Sequence, residues 1–303
     1  MNSLTALEET LERTHIGDAI QYGGLTMWPL LGPDLKAINH QMLSDSMALD
    51  LCSVAECKKQ QIAKVSVTNK SNDLIFAIHG QALKGGKQNR SINVSTLFAP
   101  LSNTVIDVAG IEQHRWNRDK KFTSACKIQP AIGRFHKNTE VIHYLYNEGV
   151  ARADQSRIWR ELQSKQARMQ VETETGDALA IQTSYMQDLA CYQNIFQAKE
   201  PSQIGAIFRS NGITAIELFD TAKTYKNFSA ALISSFALES LESPNETALD
   251  SNLPRAALNS IYNCEWQAAL VAGVGEHFFT KNLFFNGSAL IKQNSCIHIS
   301  ASV

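Results

Sequence analysis

Ile204-Gly205-Ala206-Ile207-Phe208-Arg209-Ser210-Asn211-Gly212-Ile213-Thr214-Ala215-Ile216-Glu217-Leu218-Phe219 is the stretch on which the fold class turns. Two apolar runs of strand length flank Ser210-Asn211-Gly212, and Asn-Gly supplies the positive φ angles of a two-residue hairpin turn. The reading is an antiparallel hairpin, and its surroundings decide between an all-β and a mixed chain. Upstream, Ile158, Leu162 and Met169 share one helical face between Ala151 and Gln170, and Met186, Leu189, Gln193 and Phe196 do so in the next segment. Downstream, the pattern predicts a helix over Ser229 to Leu241, a surface loop over Glu242 to Leu253 and a further helix from Arg255 to Leu270. A closing meander follows, in Phe278 to Phe285, Asn286-Gly287, Ser288 to Lys292 and Cys296 to Ala301.

Further towards the start the period shortens. Leu25 to Leu31, Ala63 to Thr68, Leu74 to His79, Ile92 to Ala99 and Thr104 to Ala109 read as strands. Ile92, Val94, Thr96 and Phe98 alternate with Asn93, Ser95 and Leu97, the pattern of a strand with one buried face. Ahead of them Leu4, Leu7 and Leu11 predict a short amphipathic helix. The expected fold is α+β: a mainly antiparallel β N-terminal half, sandwich or half-barrel, packed against an α+β C-terminal half. The corresponding segments are an N-terminal helix over 1–16, a β-rich half over 17–148 and an α+β half over 149–303, integrated as one domain.

Composition excludes several classes. Hydrophobic residues make up 44% of the 303 residues and charged residues 19%, with 16 Gly and 7 Pro, so a disordered, collagenous or low-complexity chain is ruled out. Lys+Arg 28 against Asp+Glu 29 leaves no global field to draw a polyanion, so any anionic partner must be held by a local patch. No apolar run approaches the roughly 18 residues of a membrane span, and no basic segment followed by an apolar stretch opens the sequence. The expectation is a cytoplasmic protein without membrane contact. Six cysteines without a C-x-x-C pair and eight histidines without H-x-H or H-E-x-x-H spacing predict neither a disulfide framework nor a metal site.

Chemistry concentrates in two motifs. Gly80-Gln81-Ala82-Leu83-Lys84-Gly85-Gly86-Lys87-Gln88-Asn89-Arg90, between two strands, combines paired glycines with Lys87 and Arg90. Backbone N–H groups turned outward by Gly85 and Gly86, with Gln88 and Asn89 beside the two cations, would form a nest for phosphate or carboxylate. The spacing is neither Walker nor Rossmann, and an ordinary glycine hairpin with solvated polar residues fits equally well. The second motif, Ile111-Glu112-Gln113-His114-Arg115-Trp116, gathers an acid, an imidazole, a guanidinium and an indole. Strict alternation points Glu112 and Arg115 apart, whereas a bulge lets them meet. Glu112 would be a base, Arg115 an anion contact and Trp116 a stacking surface; the alternative is a structural Glu–Arg pair under an anchoring tryptophan. Gly273-Val274-Gly275-Glu276-His277 is a polar approach to a strand in which Glu276 either faces the site or caps an element. Arg152, Arg157, Arg160, Lys165 and Arg168, with Asp154 and Glu161 interspersed, read as a solvated helix face, which makes nucleic-acid binding the weakest option.

With these motifs the sequence resembles the ARG and rhodanese-phosphatase-superfamily-associated protein domain family of bacteria and archaea. The resemblance runs from about Gly17 to Ala301: Gly17-Asp18, Tyr22 and Leu25 leading to Trp28-Pro29-Leu30, then Gly80 to Arg90, Glu112 with Arg115-Trp116, Gln203 to Ala206, Glu217-Leu218-Phe219, Gly275-Glu276 and His298 to Ala301. It implies a role near ADP-ribose or NAD-derived nucleotides. One departure matters: the family carries an acid after the first glycine of its glycine-rich motif, and here Gln81 stands there. An amide orients a water but takes no proton from it at neutral pH.

The leading expectation is that Gly80 to Arg90 and Glu112 to Trp116 converge on a basic, Trp-lined pocket. Glu112 and Arg115 would act there on a nucleotide or ADP-ribose-like phosphate compound, whose binding would come from Gly85, Gly86, Lys87, Gln88, Asn89, Arg90, Trp116 and Glu276. Whether binding leads to hydrolysis is open at this stage. The rival expectation is a non-catalytic interaction module in which the same polar residues form a buried brace.

Overall fold

The computed structural model describes residues 3–33, 38–57, 63–115, 120–245, 248–282 and 285–302. The N-terminal elements are α1 Ser3–Glu12, β1 His15–Ile16, β2 Ile20–Tyr22, β3 Leu25–Leu31, β4 His40–Met42, α2 Leu43–Ala48, β5 Cys52–Glu56, β6 Lys64–Asn69, β7 Leu74–Ala77, β8 Gln81–Gly86, β9 Arg90–Ile92, β10 Thr96–Phe98, β11 Ser102–Gly110 and β12 Lys120–Ile128. After them come α3 Ala131–Glu148, α4 Gln155–Arg168, α5 Leu179–Ser184, α6 Met186–Phe196, β13 Gln203–Ser210, β14 Ile213–Phe219, α7 Ala222–Glu242, α8 Leu253–Asn263, β15 Gln267–Ala269, β16 Glu276–Lys281, β17 Asn286–Lys292 and β18 Ser295–Ser302. The fold is α+β, and its N-terminal half holds a nearly closed, barrel-like antiparallel sheet.

That sheet runs β12-β8-β9-β11-β6-β5, with β5 and β12 meeting across the gap. Val54, Val65, Val67, Leu83, Ile92, Ile106, Val108 and Phe122 fill it. A second sheet of nine strands has the order β1-β3-β13-β14-β18-β17-β16-β15, with β2 on the edge of β3. It is buried on both faces, so its strands alternate between two cores. Ile207, Ile216, Leu218 and Ile299 face α1 and α8, whereas Ala206, Phe208, Ala215 and Phe219 face α7. A register shift at Gln203 to Gly205 places Ile204 on the first face with Ile207. Asn211 and Gly212, at φ 47° and 78°, close the β13–β14 hairpin as its sequence requires.

The structure departs from the sequence reading in particular places. β3 was expected with the β half but pairs with β13 in the larger sheet. Ile92 to Ala99 is not one half-exposed strand: it breaks at Asn93–Ser95, and every residue from Arg90 to Phe98 is buried. Most of Gly80 to Arg90 is strand β8, so the turn shrinks to Lys87–Asn89. Asn286-Gly287 lies within β17, and the tight turn of that hairpin falls on Gln293 and Asn294, at φ 50° and 59°. The last helix stops at Asn263, and Gln267–Ala269 is strand.

The largest omission is α3. Its buried residues are Ala131, Arg134, Phe135, Lys137, Asn138, Val141, Ile142 and Leu145, with polar residues at three of these positions. Those residues hide the apolar period. They are buried because a partner awaits them: Glu217, pointing inward from β14, pairs with Arg134, and both are fully buried. Gly80, at φ 84°, makes room, since a Cβ there would overlap the Arg134 side chain. Gly80→Ala combines left-handed strain with overpacking and should lower stability by about 3 kcal/mol. Urea denaturation would register it as a lower midpoint at unchanged slope.

Candidate functional site

The two sequence motifs meet at one end of the barrel. Asn89, in the turn after β8, and Glu112, two residues past β11, come together because β8, β9 and β11 are antiparallel neighbours. Glu112 and Arg115 pair, through Arg115 Nε to Oε1 at 2.8 Å and Nη2 to Oε2 at 2.7 Å. The strand ends at Gly110 and the chain bends at 113–114, so the pair forms outside strand alternation and without a bulge. Glu112 also accepts from the Asn89 amide at 3.0 Å and from Thr175 Oγ1 at 2.8 Å. Burial alone would raise its carboxyl, but the bonds from Arg115, the Asn89 amide and Thr175 hold it below the ordinary carboxylate range. Ionised and bonded four times, this carboxylate has its acceptor positions engaged.

Arg115 spends the rest of its fork on Gly86 O at 2.7 Å, Gly85 O at 3.0 Å and Asn89 Oδ1 at 3.1 Å. The glycine pair therefore turns carbonyls toward a cation. Its amides are taken too: Gly85 donates to Asn89 Oδ1 at 2.8 Å, and the Lys87 amide donates to Glu56 Oε1 at 3.0 Å. Arg90 is fully buried and pairs with Glu56 at 3.3 Å, while Nη1 donates to the Gln88 amide oxygen at 2.6 Å. Gly85, Gly86, Lys87, Gln88, Asn89, Arg90, Glu112 and Arg115 thus form one network. Glu276 opens β16 on the other sheet, exposed. Trp116 lies outside the described residues. Gln81 is buried on β8, its Oε1 accepting from the Ile78 amide at 3.3 Å. Glu56 and Thr175, which the sequence reading missed, carry no local signal; only the barrel and the segment after α4 bring them here.

A second polar cluster lies between the two sheets. The register of β14 against β18 sets Glu217 opposite Ser300 and Phe219 opposite His298, with these side chains turned toward α3 and α7. Glu217 accepts from Arg134, from His298 Nε2 at 2.9 Å and from Ser300 Oγ at 3.0 Å. His298 Nδ1 meets Ser95 Oγ at 3.0 Å, and His79 Nε2 meets Ser300 Oγ at 2.7 Å. Burial would raise Glu217, yet Arg134, His298 and Ser300 hold it low. Burial and the Arg134 charge push Lys137 far down, and the same two causes with His298 and Lys137 push His79 well below 6.5.

The third feature is a cleft of about 460 Å³ between α3, α4 and α7, within the usual size range of small-molecule sites. Arg157, Arg160 and Arg168 stand on its wall; Pro130, Ile158 and Leu162 give it apolar surface; Gln129, Lys165 and Glu239 line it as buried polar residues. The helix face read as merely solvated therefore borders a concavity. Lys165 donates to Glu239 Oε2 at 2.7 Å, and Glu239 Oε1 accepts from the Ile132 amide in the first turn of α3 at 3.1 Å. Burial raises Glu239 in spite of Lys165. Arg157 pairs with Glu140 and Glu161, and Arg168 with Glu242. Arg160, exposed, has no ion pair among the described residues. Two buried polar residues, Lys137 and Gln129, are joined through Ser91, whose Oγ accepts from Lys137 at 2.7 Å and donates to Gln129 Oε1 at 3.1 Å.

An α+β protein of three sheets among the described residues, the third being β10-β7-β4, with a buried Arg–Glu–His–Ser centre and a mixed-charge cleft is the class that fold and site define. The chain belongs to the ARG and Rhodanese-Phosphatase-superfamily-associated Protein domain family, whose model matches residues 13–302. No curated protein and no solved structure matches it.

Two stability measurements follow. Arg115→Ala strands Glu112 without its cation and should destabilise by about 3 kcal/mol, the lower end for a buried pair with one partner removed. The second concerns pH. Unfolded histidine takes up a proton below 6.5, whereas folded His79 does not until far lower, and burial holds folded His277 at about 4. The unfolded state therefore binds more protons in this window, and stability, full above 6.5, falls as pH drops, by about 1.4 kcal/mol per unit per histidine. His79→Gln, which keeps a donor for Ser300, should make the urea midpoint less steep between pH 6.5 and 5.

Proposed function

We propose that this protein binds a phosphate-bearing small molecule of the nucleotide or ADP-ribose class in the cleft between α3, α4 and α7. The observation that carries the reading is Arg160: an exposed guanidinium with no counter-ion among the described residues, on the wall of a ligand-sized concavity and flanked by Arg157 and Arg168. A guanidinium fork matches phosphate geometry, and its neighbours can exchange carboxylate partners for phosphate oxygens. The apolar patch of Pro130, Ile158 and Leu162 suits a flat ring. The ligand class itself draws on the family's description, and a negatively charged small molecule agrees with a chain that has no global positive field. Hydrolysis extends the same reading. It would follow binding at the rim, while Glu239, bonded to Lys165 and the Ile132 amide, stays an acceptor at the floor.

The barrel-end network enters this reading as a brace. Its amide donors, its guanidinium and its carboxylate are bonded to one another, which favours a structural role for Glu112 and Arg115 over direct ligand contact.

Thermal shift against ADP-ribose, AMP and inorganic phosphate tests the proposal. ADP-ribose at roughly a hundred times its Kd should add about 2.7 kcal/mol of stability. Arg160→Ala, a surface change within about 0.5 kcal/mol of neutral for folding, should weaken that binding about tenfold. An unaltered melting temperature across the three ligands would refute it.

A further inference from the structure

The cleft has a floor whose hydrogen-bonding polarity is fixed from behind. Lys137 donates to Ser91 Oγ and to Ile92 O, each at 2.7 Å. The Ser91 hydroxyl, already an acceptor, directs its own proton to Gln129 Oε1. With its carbonyl oxygen engaged by Ser91, the Gln129 amide presents its NH2 group to the cleft. Gln129 is 2% exposed, and its Nε2 has no partner among the described residues. That amide reaches the open cleft, where a ligand acceptor can take its hydrogen bond.

Gly133 keeps that donor uncovered. It sits in the first turn of α3, where glycine is a poor helix residue and no left-handed backbone calls for it. A Cβ built there would lie 3.2 Å from Gln129 Nε2. Adjacent to it, the Ile132 amide holds Glu239, whose carboxylate is an acceptor at the same floor. A donor from Gln129 and an acceptor from Glu239 thus line the same cleft as the apolar surface of Pro130, Ile158 and Leu162.

We propose that this floor is a subsite for the donor–acceptor edge of a planar heterocycle or carboxamide, with Gln129 donating to a ring nitrogen or carbonyl oxygen and Glu239 accepting from an N–H. The inference rests on the cleft being the ligand site and names the part of the ligand that goes deepest: the base, with phosphate outward at Arg160. A bare sugar phosphate has no such edge and would use the rim alone.

Gly133→Ala is the discriminating variant. Alanine suits a helix better than glycine, so the melting temperature should be unchanged or higher, while the new methyl group crowds the amide. Calorimetry is run with adenosine, nicotinamide, ribose 5-phosphate and AMP, on wild type, Gly133→Ala and Arg160→Ala. The expected pattern is that Gly133→Ala weakens adenosine or nicotinamide, and AMP, at least tenfold and leaves ribose 5-phosphate unchanged, whereas Arg160→Ala weakens ribose 5-phosphate and AMP and leaves the phosphate-free ligands unchanged. Equal affinity of wild type and Gly133→Ala for the phosphate-free ligands overturns the subsite and leaves the rim reading standing. Failure of wild type to bind either phosphate-free ligand while it binds ribose 5-phosphate also overturns the subsite alone. Failure to bind any of the four overturns both.

Discussion

The fold turns on one buried carboxylate. Glu217 is drawn inward by the alternation of β14, and it can be there only because Arg134 reaches it from α3 while His298 and Ser300 reach it from β18. Ser95 and His79 extend the same bonding into the segment between β7 and β10, so the two sheets and α3 are fastened at one point. Any packing that separated the pair would leave an uncompensated charge in a low-dielectric interior, which is strongly unfavourable. That penalty, more than net stabilisation, is what selects this arrangement of layers.

The same economy governs the places where a ligand was sought. Backbone amides that would attract an anion are already occupied by the protein's own carboxylates: Glu56 and Glu112 at the turn after β8, and Glu239 at the start of α3. The turn does have the chemistry its glycines and basic residues suggested, in that it binds carboxylates. They are side chains of the same molecule. The cleft differs because its floor and wall retain groups with unused capacity, the Gln129 amide and the Arg160 guanidinium.

Much of the secondary structure was legible in residue patterning. The Asn211-Gly212 hairpin, the N-terminal helix carrying Leu7 and Leu11, and the cores of α4 and α6 follow from periods that a single segment displays. What failed, failed for stated reasons. α3 was invisible because Arg134, Lys137 and Asn138 occupy buried positions that a hydrophobic period assigns to apolar residues. The alternation of Ile92 to Phe98 suggested one wet face, but that segment is enclosed by barrel, sheet and α3, so its polar residues are buried against partners from elsewhere. In the barrel-end network, Glu112 and Arg115 were legible as a pair within three residues, whereas Glu56 and Thr175 were not, since each lies more than fifty positions from Glu112 along the chain.

The amino-acid sequence determined the α+β class, the family and the grouping of polar residues into motifs, because these depend on local period, turn chemistry and residue type. Tertiary structure alone decided which charges are spent and which are left over. A guanidinium or an amide looks the same in sequence whether or not a partner from a distant strand has claimed it. Only the packing of α3, α4 and α7 leaves Arg160 and Gln129 unclaimed beside a space that a ligand can fill.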